Sequence, residues 1–364
     1  MSELFKDKIN SKTIHDFAAC VKSVYAPFPI DEFVNAVMDE TWDKLELKAR
    51  GRQICINMRK FLPEGYGTAL SILDEVIKIN NDGFFCLIFP DFVEVYGQDE
   101  ENWDLSINAL ENYTKYGSSE FAVRPFIINH EERMMAQMFE WSKNENEDVR
   151  RLSSEGCRPV LPWGQALPSL KADPAPILPI LTQLKTDSSP YVRKSVANNL
   201  NDISKTNPDF VVKLAKQWYG ESDLTNWIIK HGCRTLLKKG NRDILALFGY
   251  DDVTSVEVSD FAVATPKVIV GDDLTFTFTV RVKKAMKVRL EFGIDYMKAR
   301  GKRSRKIFQI SESAFKENSQ KAYTRKHSFA DVSVRKHYPG IHSVTLIVNG
   351  MERGTLDFEV EAGV

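Results

Sequence analysis

The spacing of apolar residues changes once along this chain, near residue 255, and this change constrains the fold more than any other feature. Before it the spacing is helical, with Val192, Val196 and Leu200 recurring at intervals of four. After it apolar and polar residues alternate, as in residues 276–282. One hydrophobic core rarely serves more than about 300 residues. A chain of 364 residues with this pattern is therefore predicted to form two domains, helical over residues 1–252 and β over residues 253–364.

A weak internal repeat runs through the helical half. Val-Arg pairs begin at residues 123, 149 and 192, and the last two lie 43 residues apart, within the ~40–47 residues of HEAT-type repeats. Each valine is expected to fill the core between helices, and each arginine to bond to the preceding turn. We therefore predict an α-solenoid, in which helix pairs stack to bury their apolar faces. The first interval is only 26 residues, so a non-repetitive helical bundle is the alternative.

The last 110 residues have the pattern of a β-sandwich. About seven short strands are predicted there, which is typical of the immunoglobulin-like fold. Asn349-Gly350 is a hairpin signal between two of these strands. All five cysteines precede this region, so the sandwich is expected to lack an inter-sheet disulfide.

The composition excludes several classes of protein. No run approaches the ~18 apolar residues of a membrane helix, and the N-terminus lacks the apolar core of a signal peptide. The five scattered cysteines include no C-x-x-C pair, which predicts free thiols in a reducing cytoplasm and no metal site. Phosphate-binding loops and the G-x-S-x-G motif are also absent from the sequence.

Charge is distributed unevenly along the chain. Residues 1–116 carry 12 Lys and Arg against 20 Asp and Glu, whereas residues 255–364 carry 19 against 13. Six cations fall within residues 298–306, in a segment predicted to connect two strands. Such a cluster favours binding to phosphate groups. Nuclear targeting, or basic surface that is merely solvated, is the alternative.

Four residues are candidates for chemistry. Asp202 shares a helix with three asparagines, although these residue types disfavour helices. Glu155 is expected near the end of one helix, and Trp163 in the first turn of the next, which Pro162 would open. Glu120 is expected in the first turn of a third helix. Each of these patterns also fits an ordinary solvated surface.

Three segments carry a resemblance to a known family. SSPYVRKSVANNLNDISKTNPDFV (188–211) resembles the signature repeat of the AlkC/AlkD superfamily of DNA alkylation-repair glycosylases. SSEFAVRPFI (118–127) and SSEGCRPVLPWGQALP (153–168) resemble AlkC in particular, and they follow in the same order. The predicted sandwich is similar to the immunoglobulin-like extension of some AlkC proteins.

The resemblance implies an enzyme that cuts the N-glycosidic bond of cationic alkylated bases in double-stranded DNA, notably 3-methyladenine and 3-methylcytosine. It implies no cofactor and no metal, and no deep pocket for a flipped base. Glu120, Glu155 and Asp202 would stabilise the positive sugar of the transition state, and Trp163 would lie against the deoxyribose or lesion. We expect a cytoplasmic monomer without membrane association.

Basic residues in both domains are the expected contacts to DNA phosphates. In the helical domain they are Arg151, Arg158, Arg193, Lys194, Lys230, Lys238 and Lys239. In the sandwich they are Lys298, Arg300, Lys302, Arg303, Arg305 and Lys306. Since a fold does not fix a function, a non-catalytic DNA- or protein-binding adaptor is the alternative. It would not require the carboxylates and Trp163 to converge.

Overall fold

The computed structural model describes residues 5–80, 83–332 and 336–363. The chain divides into two compact units. The first extends to Asn207 and includes Gly220–Gly232, and the second comprises Pro208–Tyr219 and continues from Cys233.

Sixteen α-helices occur within the described ranges, and all precede the first strand. They are α1 Ser11–Val24, α2 Ile30–Val37, α3 Leu47–Phe61, α4 Tyr66–Ile79, α5 Ile88–Tyr96, α6 Trp103–Tyr113, α7 Val123–Asn129, α8 Glu131–Trp141, α9 Glu147–Glu155, α10 Pro168–Ala172, α11 Leu178–Leu184, α12 Pro190–Thr206, α13 Pro208–Trp218, α14 Asp223–Gly232, α15 Arg234–Lys238 and α16 Arg242–Leu247. None of them is long and apolar enough to cross a membrane.

Helix α12 is at the centre of the helical packing, where it contacts α9 and α14. It begins at Pro190, directly after Ser189, and proline is favoured at the first position of a helix. The apolar stripe Val192, Val196 and Leu200 is fully buried. Helix α9 is capped by Asn146, whose side chain accepts hydrogen bonds from the backbone N–H groups of Asp148 and Val149. The predicted helical-repeat fold is confirmed.

The Val-Arg repeat has the expected role in two of its three copies. Arg150 donates to the carbonyl oxygens of Asn144 and Glu145, at 2.9 and 2.7 Å. Arg193 donates to those of Asp187 and Ser188, at 2.6 and 2.8 Å. Both arginines thus hold the turn that precedes their own helix. Arg124 differs, because it lies in the interior of the first unit and contacts a loop that follows it.

The eight strands of the second unit, one more than predicted, form two sheets within the described part of the chain. They are β1 Val256–Val263, β2 Lys267–Ile269, β3 Asp273–Val282, β4 Met286–Met297, β5 Arg303–Phe315, β6 Gln320–Ser328, β7 Gly340–Val348 and β8 Met351–Glu361. The strand orders are β1-β3-β6 and β2-β8-β7-β4-β5, and every pairing except that of β2 with β8 is antiparallel.

The sandwich core confirms the alternation seen in the sequence. Phe276, Phe278 and Val280 of β3 are buried, as are Leu290 and Ile294 of β4. The predicted hairpin joins β7 to β8 through Asn349 and Gly350, with φ of 48° and 72°. Positive φ at both central residues matches the right-handed twist of antiparallel strands. The immunoglobulin-like sandwich predicted from the sequence is confirmed.

Candidate active site

The loop that follows α9 is held by a buried arginine. The Arg124 side chain is inaccessible to solvent and donates to the carbonyl oxygens of Gly156 and Arg158, at 2.9 and 3.0 Å, and also to that of Gln165. Burial lowers its pKa to about 10, so it keeps its charge at neutral pH. Three carbonyl groups on one guanidinium fix the path of the loop, because a buried cation needs its hydrogen-bond partners.

Trp163 projects from this loop. The prediction that it lies in the first turn of a helix is wrong: residues 159–167 form turns, and the next helix begins at Pro168. Trp163 has a φ of 63°, which is unusual for a residue with a side chain. Trp163 is 79% exposed. Lys48 of α3 donates to the backbone carbonyl oxygen of Trp163 at 2.9 Å. The loop is therefore held by α3 as well as by Arg124 of α7.

A cleft of about 480 Å³ lies in the first unit beside Trp163. Glu120, Glu155 and Trp163 all line it, although 43 residues separate the first from the last. Seven of its lining residues are charged: Lys48, Arg52, Asp91, Glu94, Glu120, Glu155 and Arg158. The structure therefore brings together three of the four residues that the sequence indicated.

Glu155 is the most constrained carboxylate of the cleft. Its Oε1 atom lies 2.5 Å from Arg158 and 3.5 Å from Arg151, and its Oε2 atom accepts a hydrogen bond from Ser195 at 2.7 Å. The side chain is only 7% exposed. Paired and buried in this way, the carboxylate has a fixed position and orientation.

Glu120 is more open. Contrary to prediction it lies in a turn three residues before α7, not in the first helical turn. Its Oε2 atom lies 2.5 Å from Arg151 and accepts a hydrogen bond from Ser118 at 2.9 Å. Within the described ranges, no hydrogen bond to its Oε1 atom is formed. That atom is therefore available to a water molecule or ligand.

Asp202 lies behind Arg158 instead of on the cleft wall. Its Oδ2 atom accepts from Arg158 Nε at 2.8 Å, and its Oδ1 atom from Lys205 at 2.7 Å. Its side chain is 2% exposed. We therefore correct its placement among the groups that face the cleft: Asp202 reaches the cleft through Arg158, which also binds Glu155.

A second acidic pair was missed in the sequence. Arg52 of α3 contacts Asp91 and Glu94 of α5, at 2.7 and 2.6 Å. Burial raises the pKa of Asp91 to about 6, although Arg52 opposes this effect, and the Glu94 carboxylate adds to the rise. The i, i+3 spacing of the two acids was the only signal. It could not be distinguished from the many exposed acids of the first 116 residues.

The predicted phosphate contacts of the first unit fall into two groups. Lys194 and Lys230 are exposed. Arg151 and Arg158 are 14% and 9% exposed and bind the cleft carboxylates, while Arg193 holds a turn. The geometry gives these three arginines structural partners. In the second unit, Lys238 and Lys239 are exposed.

The basic segment of the sandwich is also divided. A groove of about 500 Å³ is lined by Lys298, Arg300, Lys302 and Lys306, together with Lys336 and Tyr338, which sequence analysis missed. The other two arginines of the segment point elsewhere. Arg303 donates to Ser343 at 2.6 Å. Arg305 binds Asp295 at 2.8 Å and also Glu352, and these contacts raise its pKa.

Three histidines of the sandwich converge, although their spacing gave no reason to expect it. The rings of His327, His337 and His342 all pack near Tyr296 and Phe329. Burial lowers the pKa of His342. Among residues 5–80, 83–332 and 336–363, no group of three His, Cys, Asp or Glu side chains is arranged to hold a metal ion.

Two family models match this chain, one in the helical part and one in the sandwich. A family model described as DNA alkylation repair enzyme matches residues 99–236. A second, described as the C-terminal Ig-like domain of uncharacterised protein YhaZ, matches residues 257–362. The uncharacterized protein YhaZ of Bacillus subtilis is 46% identical over 360 residues, which is 99% of each chain.

One solved structure matches almost the whole chain. The alkylpurine DNA glycosylase AlkC of Pseudomonas fluorescens, bound to DNA containing an abasic site analogue, is 34% identical with a TM-score of 0.95. The match covers 99% of this chain and 100% of that one. The helical unit, its cleft and the appended sandwich thus define a DNA alkylation repair protein with an immunoglobulin-like domain. Within that class, the chain belongs to the AlkC family.

The raised pKa of Asp91 predicts a pH dependence of stability. The folded state keeps a proton on Asp91 up to about pH 6, whereas the ordinary value is 3.8. Ionisation of Asp91 therefore destabilises the folded protein as the pH rises from about 4 to 6. Relative to Asp91→Asn, the wild-type free energy of unfolding is expected to fall by about 3 kcal/mol over this range.

Denaturant unfolding followed by tryptophan fluorescence measures this difference, because five of the six tryptophans lie in the first unit. Glu75→Gln, at an exposed acid of the neighbouring helix α4, is the matched control and should show no such change. A difference between wild type and Asp91→Asn that stays constant or increases with pH would contradict the prediction.

Proposed function

We propose that this protein is a DNA glycosylase that hydrolyses the N-glycosidic bond of cationic alkylated bases, 3-methyladenine and 3-methylcytosine, and leaves an abasic site. One observation carries the proposal: Glu120, Glu155 and the exposed Trp163 line the same cleft, and arginines fix both carboxylates. The similarity to an alkylpurine glycosylase bound to DNA with an abasic site analogue supports it.

The chemistry suits this arrangement. A methylated cationic base is a good leaving group, so its departure requires no strong general acid. As the bond breaks, positive charge develops on the deoxyribose. Carboxylates that are already oriented stabilise this charge without further reorganisation. The base leaves as a neutral molecule, water forms the new bond to the sugar carbon, and a cleft carboxylate can accept the proton that this water loses.

Glu120 and Glu155 are suited to different tasks. Both oxygens of Glu155 are engaged by Arg158 and Ser195, which suits electrostatic stabilisation of the sugar. Oε1 of Glu120 is available, which suits orientation of the attacking water. Asp202 is a positioning residue, because it holds Arg158, which in turn holds Glu155.

Trp163 has a different role. Its indole is exposed and its backbone is held from both sides, by Arg124 through the loop and by Lys48 directly. A rigid aromatic side chain can lie against the deoxyribose and exclude bulk water from the cleft. Exclusion of water strengthens the electrostatic effect of the carboxylates.

Substitution of the carboxylates tests the proposal. Glu120→Gln and Glu155→Gln are each expected to slow single-turnover excision of 3-methylcytosine from a duplex by at least about 100-fold, the usual effect of removing one preorganised group. DNA affinity should stay within about twofold. The control is again Glu75→Gln, which should excise normally. Tight DNA binding by the wild type without release of any alkylated base would instead favour a non-catalytic adaptor.

The groove of the sandwich is proposed to bind phosphate groups of the duplex. Lys298→Ala, Arg300→Ala and Lys302→Ala are each expected to lower the slope of log Kd against log salt by about 1. Arg305→Ala removes a cation from the same segment, but one that Asp295 and Glu352 already neutralise, so the slope should not change. Titration of fluorescent duplex at several salt concentrations measures the slopes. Equal effects of all four substitutions would contradict the assignment.

A further inference from the structure

The cleft has two acidic walls, and only one of them is explained by the reaction above. Glu120 and Glu155 form the first, on the turn before α7 and at the end of α9. Asp91 and Glu94 of α5 form the second. Their side chains are 20% and 21% exposed, so they are only partly solvated. An acidic pair with this little solvation requires a partner.

Arg52 carries one positive charge, whereas the two carboxylates of the second wall carry two negative charges when both are ionised. One nitrogen of its guanidinium contacts both acids, Oδ1 of Asp91 at 2.7 Å and Oε1 of Glu94 at 2.6 Å. No second cation is paired with either acid in the part of the chain that the structure describes. With both acids ionised, two carboxylates share one guanidinium, and the wall keeps one negative charge.

The other cation on this side of the cleft is already engaged. Lys48 donates to the carbonyl oxygen of Trp163, and its ammonium group lies 4.0 Å from the centre of the Phe121 ring. On the first wall, Glu120 and Glu155 are matched by Arg151 and Arg158. Lys48 forms no ion pair with Asp91 or Glu94, so within the described residues these two acids share the single charge of Arg52.

The net negative charge of the second wall excludes a phosphate group as its ligand, because like charges repel in a partly desolvated site. It complements a group with a single positive charge. Carboxylates are also pure hydrogen-bond acceptors, and adenine and cytosine both present an exocyclic amino group as a donor. A methylated adenine or cytosine combines the charge and the donor.

We propose that the Asp91–Glu94 pair, oriented by Arg52, receives the positive charge of the alkylated base and so determines specificity for cationic bases. This inference rests on the proposed glycosylase function. It assigns each wall to one side of the bond that is cut: Glu120 and Glu155 face the sugar, and Asp91 and Glu94 face the base. Arg52 is a positioning residue, since it acts through the two acids.

Variants of the second wall distinguish its contacts to the base from contacts to the sugar. Glu94→Gln and Asp91→Asn each remove one negative charge from the second wall. For a duplex with one 3-methylcytosine, each is expected to raise KM about tenfold, the effect of one charge-assisted hydrogen bond, while kcat changes less than threefold. For the same duplex with an abasic-site analogue, which has no base, Kd should stay within twofold. Glu94→Asp keeps the charge and should restore most of the lost affinity.

A merely structural role predicts a different result. It would weaken binding of both duplexes alike, or reduce kcat through displacement of the first wall, and either outcome would overturn the inference. Unchanged KM in both variants would also overturn it. Glu75→Gln again controls for loss of a surface charge.

Failure of the proposed function would be distinct. In that case the wild type would excise nothing. The preference of each protein for the modified base would then be measured as the Kd for the 3-methylcytosine duplex relative to the Kd for the unmodified duplex. Loss of a wild-type preference in Glu94→Gln would still support recognition of the cationic base. Absence of any preference in the wild type would overturn the inference.

Discussion

The arrangement of the cleft depends on one guanidinium, that of Arg158. It contacts Glu155 at 2.5 Å and Asp202 at 2.7 Å, and all three side chains are nearly inaccessible to solvent. Burial of charges is costly unless each is paired and hydrogen-bonded. Removal of Arg158 would leave Asp202 with Lys205 alone, and Glu155 with Ser195 and the more distant Arg151. Because Glu155 ends α9 and Asp202 belongs to α12, the same contacts that orient the carboxylate also join two packed helices.

A second buried arginine gives the cleft its other constraint. Arg124 binds three carbonyl groups of the loop that follows α9, and so fixes Trp163 beside the carboxylates. The site thus consists of paired carboxylates and an exposed indole, on a loop whose backbone is held by Arg124 and Lys48. Such preorganisation is well suited to a reaction whose leaving group is already activated, because the protein needs to stabilise charge without supplying a proton.

The sequence predicted the two folds because the periods of apolar residues differ between helix and strand. Glu120, Glu155 and Trp163, which the motif resemblance indicated, line one cleft, and their assignment to catalysis stays a prediction. The resemblance could not show that Asp202 lies behind Arg158, since that contact spans 44 residues and depends on helix packing. Pro162 suggested a helix start, but the loop carbonyls are held by Arg124. The pair Asp91 and Glu94 was missed because a cleft wall is defined by what packs opposite, which local spacing does not reveal.

A double-mutant cycle on Asp202→Asn and Arg158→Gln tests the central claim most directly, namely that Asp202 acts through Arg158. The measured quantity is the single-turnover rate of 3-methylcytosine excision. If the claim is correct, the double variant excises no more slowly than the slower single variant, since both changes disrupt one unit. Losses that multiply in the double variant would show that Asp202 and Arg158 act independently, and would contradict the account.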